Sequence, residues 1–443
     1  MKLRTPVLLA ILVLAPVAAT PVVDAQAQAS GPTAITECRT ITDSGRYVLT
    51  RNLSREELTD EPCLRVRASD VVLDGQGHTI EGPRLATPVS VGAEDRRLSN
   101  VTVRNLSADS YYETSAIAID GVDGVTVANV TLSDNQVGIS AVDSTAVRIE
   151  DSAVYGGGGF GATTTPSSYG VALANTTDSV VTDNRFGRFT RGTALNVDDG
   201  ARNTTVANNS IRGCVECDES FEFEWNASLQ DFGTGIEIAR ATGTVVVNNS
   251  VSYHTDGVVV EGDSSDTEIR QNRITHTKQG VLVATTGPTG TDDTDRQTLV
   301  ANNTLRENAV GLETTATHVP LVIRHNDVAG NDLGLYLPES GVCPPGVVGT
   351  ERIDVSRNAI VNSTLWAVNN ERSATLNATA NYWGAASGPS SANDTDAPFA
   401  DPVTGTLADG QGGAVSESPT TAGESNVRFD PWLNESVAEA GAP

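Results

Sequence analysis

A glycine followed by an apolar–x–apolar triplet returns along the middle of this chain, at Gly138, Gly170, Gly192, Gly235, Gly257, Gly280, Gly311 and Gly334. The shortest steps are about 22 residues, and the longer ones fit insertions in single turns. A second signature, apolar–x–x–Asn–x–apolar, follows most of these glycines and brings in Asn184, Asn209, Asn249, Asn272, Asn303, Asn326 and Asn358. The apolar residues alternate with a period of two, and no helical period survives. A strand–turn–strand unit of that length cannot bury its apolar side alone, but stacked copies can. The expected fold is all-β: a single-stranded right-handed parallel β-helix with about 22 residues per coil and loop insertions.

Stacking makes register the central quantity, because coils about 4.8 Å apart line up residues that are distant in the chain. The recurrent asparagine then forms a file of amides bonding above and below, which is a structural role. Counting two residues on from each glycine gives an outward column of Ala172, Ala194, Glu237, Val259, Leu282, Glu313 and Tyr336. That column lacks the aspartate cluster that would hold calcium.

The ends divide the chain further. Residues 1–29 read as a signal peptide, with Lys2 and Arg4 before the apolar run Val7–Ala19 and small residues after it. Residues 30–65 form an N-terminal cap in which a Cys38–Cys63 disulfide would staple the first coil. The helix proper covers 66–384, a loop-rich cap covers 385–433, and 434–443 is a disordered tail. Cys214 and Cys217 share the longest insertion and Cys343 lies in another; a lone pair favours a local disulfide over zinc. About fourteen Asn–x–Ser/Thr sequons occur, among them Asn52, Asn129, Asn203, Asn377 and Asn434. An asparagine-rich repeat generates many of these by chance.

The formal charge is −27, and the lysines are Lys2 and Lys278 alone. Such a surface excludes nucleic acid and anionic membranes as partners and suits concentrated salt. The expected protein is secreted or held at the cell surface, with no membrane insertion after signal removal. Its partner would be a polysaccharide or surface glycan, and the closing C-terminal segment favours a monomer.

Three stretches carry a family resemblance: DVVLDGQGHTIEG ending at Gly82, the asparagine coils, and NYWGAASGP over Asn381–Pro389. Together they resemble secreted NosD-like proteins of the carbohydrate-binding and sugar-hydrolase type, with a pectate-lyase-like fold, and the resemblance implies an origin in a halophilic archaeon. The resemblance spans roughly Cys38 to Pro389. It implies the fold and leaves activity open among polysaccharide lyases, glycosidases, uronate epimerases, a copper-site accessory factor and surface proteins. The epimerase string Tyr–Gly–x–Asp–Pro–His–Asp is absent, and Asn196–Val–Asp198–Asp199–Gly200 echoes only part of the polygalacturonase pattern. Copper would want His, Met or Cys clusters, and neither copper nor calcium has a supporting motif.

Two constellations remain. Aligning YHTDG (Tyr253–Gly257) with THTKQG (Thr275–Gly280) sets His254 over Thr277, Thr255 over Lys278 and Asp256 over Gln279. His254, Asp256, His276 and Lys278 then neighbour one another, with Asp231 and Glu307 on flanking coils. Lysine beside histidine could abstract the proton alpha to a uronate carboxylate or bind that carboxylate. Equally, Asn308 and Asn331 fill the His254 position in later coils, as a turn preferring small polar residues requires. The second constellation is Glu237 and Glu261, one coil and two residues apart, a spacing suited to an inverting glycosidase. Three functions stay open: a glycan-binding or envelope β-helix without a complete catalytic motif, a lyase or hydrolase acting on acidic polysaccharide, and a copper-site accessory protein.

Overall fold

The computed structural model describes residues 31–442, apart from 55–60, 82–85, 110–113, 157–167, 190–191, 214–232, 287–295, 317–318, 340–351, 392–396 and 439. The expected signal peptide, Cys214, Cys217, Cys343 and Asp231 lie outside the described residues. Each coil contributes a strand to three walls in turn, which we call the first, second and third sheets. They hold 15, 12 and 15 strands. All pairings between successive coils are parallel, as in Val125↔Val147 and Val258↔Val281. This is the right-handed parallel β-helix expected from the repeat.

The core is a set of vertical files. One runs Val127, Ile149, Val181, Val206, Val246, Ile269, Val300, Ile323 and Val355, each registered on the next. Their branched side chains suit the pleat and are almost fully buried. Burial of this kind, at about 25 cal/mol per Å² of apolar surface, is what a single coil lacks and a stack supplies.

The asparagines stack as expected. Asn209 Nδ2 donates to Asn249 Oδ1 at 3.0 Å, Asn249 to Asn272 at 3.0 Å and Asn272 to Asn303 at 3.0 Å. The file continues through Asn326 and Asn358 to Asn381. Sequence separations of 40, 23 and 31 residues give the same contact, so insertions leave the register intact. Each oxygen also accepts the previous asparagine's backbone N–H, so buried donors at the corner are satisfied.

The motifs behind the family resemblance serve the scaffold. In the Asp74–Gly77 turn, the Asp74 carboxylate accepts from Asn105 at 3.0 Å, the Gln76 N–H at 3.1 Å and Arg104 at 3.0 Å. A Cβ on Gly75 would stand 2.4 Å from Leu106 Cβ, so only glycine lets the coils approach there. Asn381 ends the asparagine file, and Trp383 and Phe429 are wholly buried beneath the C-terminal segment. At the other end Cys38 and Cys63 form the expected disulfide, with Cα atoms 4.5 Å apart.

One register expectation needs correcting. Tyr169 pairs with Thr193 and Ala172 with Asn196, so Ala194, not Gly192, occupies the repeat-glycine position. The outward column therefore contains Asn196 in place of Ala194. The inner site tolerates a methyl group, and Ala194 is fully buried. Identity of residue type misled the count by two.

Candidate functional site

The third sheet differs from the other two at its borders. The segments 157–167 and 214–232 lead from the second sheet into the third, and 287–295 and 340–351 leave it for the first. Every long departure from the repeat within the coils is thus attached along one wall. In solenoids, insertions gathered on one face mark the face that meets a ligand.

Residues on the outer side of this wall form two polar groups around an apolar patch. Register sets Asn196, Glu237, Val259, Leu282, Glu313 and Tyr336 in one file. Six neighbouring strands at about 4.8 Å span about 24 Å, room for several sugar rings. Val259 and Leu282 hold the middle, and Val259 is only 6% exposed although it points away from the core.

In the first polar group, Glu237 accepts a hydrogen bond from Thr193 Oγ1 at 3.0 Å. Glu261 pairs beside Ala239, which puts it one coil and two residues from Glu237, a Cα separation of about 8 Å. Burial raises the Glu261 carboxyl above the ordinary glutamate range; the charges of Glu237 and Asp198 push the same way, and Arg240 opposes them. Arg240 is held by Asp198 at 2.7 Å and Asp199 at 2.8 Å. The two aspartates of the partial polygalacturonase echo therefore form an ion-paired corner.

The second group centres on Glu313, only 9% exposed. Burial raises its carboxyl above the usual range, against a hydrogen bond donated by Gln279 and the nearby positive charge of Lys278. One coil on, Tyr336 donates its hydroxyl to Glu371 at 3.0 Å. Burial, then that carboxylate, raises the phenol's proton affinity.

The sequence-predicted residues divide between the two sides of the wall. The alignment of Asp256 with Gln279 is observed. Asp256 and Lys278 are half-buried on the outer side, with Lys278 near Glu313. His254 does not join them: it is fully buried, and a Cβ on Gly213 would touch its ring at 2.9 Å. It occupies the inner corner that Thr277, Asn308 and Asn331 fill in later coils. His276 turns elsewhere again, stacked on Tyr253 at 4.8 Å with Glu307 3.4 Å from its Nε2. Arg212 covers the other face of Tyr253 at 4.0 Å. The four residues expected to cluster thus separate into an outer pair, an inner histidine and an edge stack.

The cause lies in the corner backbone. Tyr253 and His276 have φ of 58° and 53°, which breaks strand alternation, so sequence parity no longer tells inside from outside. Glu313 and Tyr336 stood in the expected outward column without being identified as site residues. Their signal was an acid and an aromatic at positions where other coils place Val or Leu.

Residues 97–291 and 234–395 match the model of the family described as periplasmic copper-binding protein NosD. No curated protein matches the sequence. Among solved structures, the chain is similar to the periplasmic alginate epimerase AlgG at 12% identity. That match has a TM-score of 0.45 and covers 73% of this chain and 74% of the other. It is similar to the DFA-IIIase of Arthrobacter chlorophenolicus A6 at 16% identity and TM-score 0.42, over 72% and 84% of the two chains. The tailspike protein 2 domain of bacteriophage CBA120 aligns at 11% identity and TM-score 0.40, over 68% and 43%.

Proposed function

The chain belongs to the NosD family, and from that premise we propose that it is an exported β-helix whose third sheet binds an uncharged polysaccharide along its outer face. The observation that carries this reading is the coincidence of two features on one wall. All four long insertions adjoin that wall, at one or other of its two edges, and its outer side carries buried and half-buried polar groups around Val259 and Leu282. Apolar surface with a few fixed polar groups is the usual make-up of a ligand site. Glu237, Glu261, Glu313 and Glu371 outnumber Lys278 and Arg240, so a uronate-rich chain would meet net repulsion. A neutral sugar instead offers hydroxyl donors to those carboxylates.

Copper, named in the family's description, finds no fitting donor set among the described residues, which leave out Cys214, Cys217, His318 and Cys343. Among the described residues no group of three or more His, Cys, Asp or Glu could hold a metal ion. His254 and His276 lie on adjacent coils, but His254 is buried inside and His276 is stacked on Tyr253 at the corner, and His78 contacts Asn52 far along the helix. Cys38 and Cys63 are consumed by their disulfide, and Met1 is the sole methionine.

A specific observation favours a second reading, hydrolysis with inversion. Glu261 holds its proton above the usual range, and Glu237 lies one coil and two residues away, a Cα separation of about 8 Å. Carboxyl groups about 6.5–9.5 Å apart suit a general acid and a general base. One experiment separates the readings: the purified protein is incubated at high salt with neutral and uronate-rich polysaccharides, and sedimentation and new reducing ends are followed. Retention on neutral polymers without new ends supports binding, and new ends lost in Glu261→Gln support hydrolysis. Retention on uronate polymers alone would overturn the choice of ligand.

A further inference from the structure

The Asn–x–Ser/Thr sequons take no part in the third-sheet site, yet the fold sorts them. Residues 105, 129, 151, 183, 208, 248, 271 and 302 form one edge of the prism, between the first and second sheets. Backbone bonds tie each coil's edge residue to the next, as from Asn208 N to Val247 O and from Asn248 N to Arg270 O. All eight have positive φ, which asparagine tolerates better than most residues. This conformation turns the edge side chain outward and the next one inward. In the doublets Asn208–Asn209 and Asn248–Asn249, the first asparagine is exposed and the second is 1% exposed inside the amide file.

Several of the other sequons are less available. The amides of Asn105, Asn129, Asn175 and Asn203 are engaged by Asp74, Asn105, Asp143 and Asp178 of the preceding coil. Asn302 has its sequon hydroxyl, Thr304, buried and bonded to Ala442 N. The side-chain amides of Asn208 and Asn248 donate to nothing among the described residues, and their hydroxyl partners Ser210 and Ser250 are exposed, side by side on the second sheet. Across the prism, no third-sheet strand among the described residues contains a sequon asparagine.

We propose that Asn208 and Asn248 accept N-linked glycans, coating the edge opposite the ligand face. In the transfer, Asn Nδ2 bonds to the anomeric carbon of a lipid-phosphate-linked oligosaccharide. The anomeric C–O bond breaks, the lipid phosphate leaves with its electron pair, and one amide proton passes to a base. The proposal rests on export, since the donor must be met outside the cytosol.

The test is glycopeptide mass spectrometry on protein from the medium and from the cells that make it, with the N-terminus read on both. The expected result is a trimmed chain in the medium carrying sugar on the peptides of Asn208 and Asn248. Asn209 and Asn249 should be bare. Ser250→Ala should remove sugar at Asn248 and Ser250→Thr keep it, with thermal midpoints unchanged in both. A trimmed, exported chain with both peptides at their unmodified mass would overturn the glycans and leave export standing. A chain kept inside with residues 1–29 attached would overturn both.

Discussion

Replacing Asn272 by alanine should be among the most costly single changes in the molecule. Its side chain donates to Val246 O at 2.9 Å, Arg270 O at 3.0 Å and Asn303 Oδ1 at 3.0 Å. Its oxygen accepts the backbone N–H of Asn249 at 2.9 Å and the side-chain amide of Asn249 at 3.0 Å. The residue is fully buried, so water cannot replace any of these partners. An orphaned buried N–H costs about 1–3 kcal/mol, and each lost hydrogen bond a further 0.5–1.5 kcal/mol or so. The sum expected for Asn272→Ala is about 3–5 kcal/mol, against about 0.5 kcal/mol or less for Arg273→Ala, whose side chain is exposed. Guanidinium titration of both variants at matched slope measures the difference. Because each coil contacts only its neighbours, hydrogen exchange should speed at the Asn249 amide and stay slow several coils away. A cost below about 1 kcal/mol, or an Asn249 amide as protected as before, would refute the view that the file carries the corner.

Burial would raise the Asp74 carboxyl, but hydrogen bonds from Asn105, Gln76 and Arg104 outweigh it and hold it at about 2. Its folded value is depressed, so its contribution, about 2 kcal/mol, is complete above pH of about 4 and lost as pH falls through about 2. Acid titration of Asp74→Asn should lack that segment of the stability curve. Replacing Cys38 and Cys63 by serine opens a loop with a sequence separation of 25. That should cost about 3.5 kcal/mol by loop entropy and fray the first coils in hydrogen exchange. If the third sheet hydrolyses its ligand, the rate should fall as pH rises through the elevated Glu261 value, because the acid loses its proton. Glu261→Gln should then slow turnover by about 100-fold or more with binding kept.

How much of this was legible in the sequence follows from where period-two alternation holds. Along strands it holds, so the amide file, the core columns and the alignment of Asp256 with Gln279 were readable from spacing alone. At Gly192 the residue type matched but the wall did not, since Ala194 satisfies the same buried position. At the corners φ turns positive and alternation stops; this is why His254 and Lys278, adjacent by alignment, end on opposite sides. The partnership of Glu313 with Gln279 and Lys278 was hidden for another reason. It joins two neighbouring files on the outer face, whereas spacing reports each file alone.

The most direct test of the ligand face places the same charge on two different walls. Leu282 lies on the outer side of the third sheet and Leu299 on the outer side of the first, both half-buried. Leu282→Glu and Leu299→Glu should fold alike, and retention on a neutral polysaccharide is then compared with that of the unaltered protein. The expected result is loss of retention in Leu282→Glu alone. Undiminished retention in Leu282→Glu, or equal loss in both, would contradict a binding face on the third sheet.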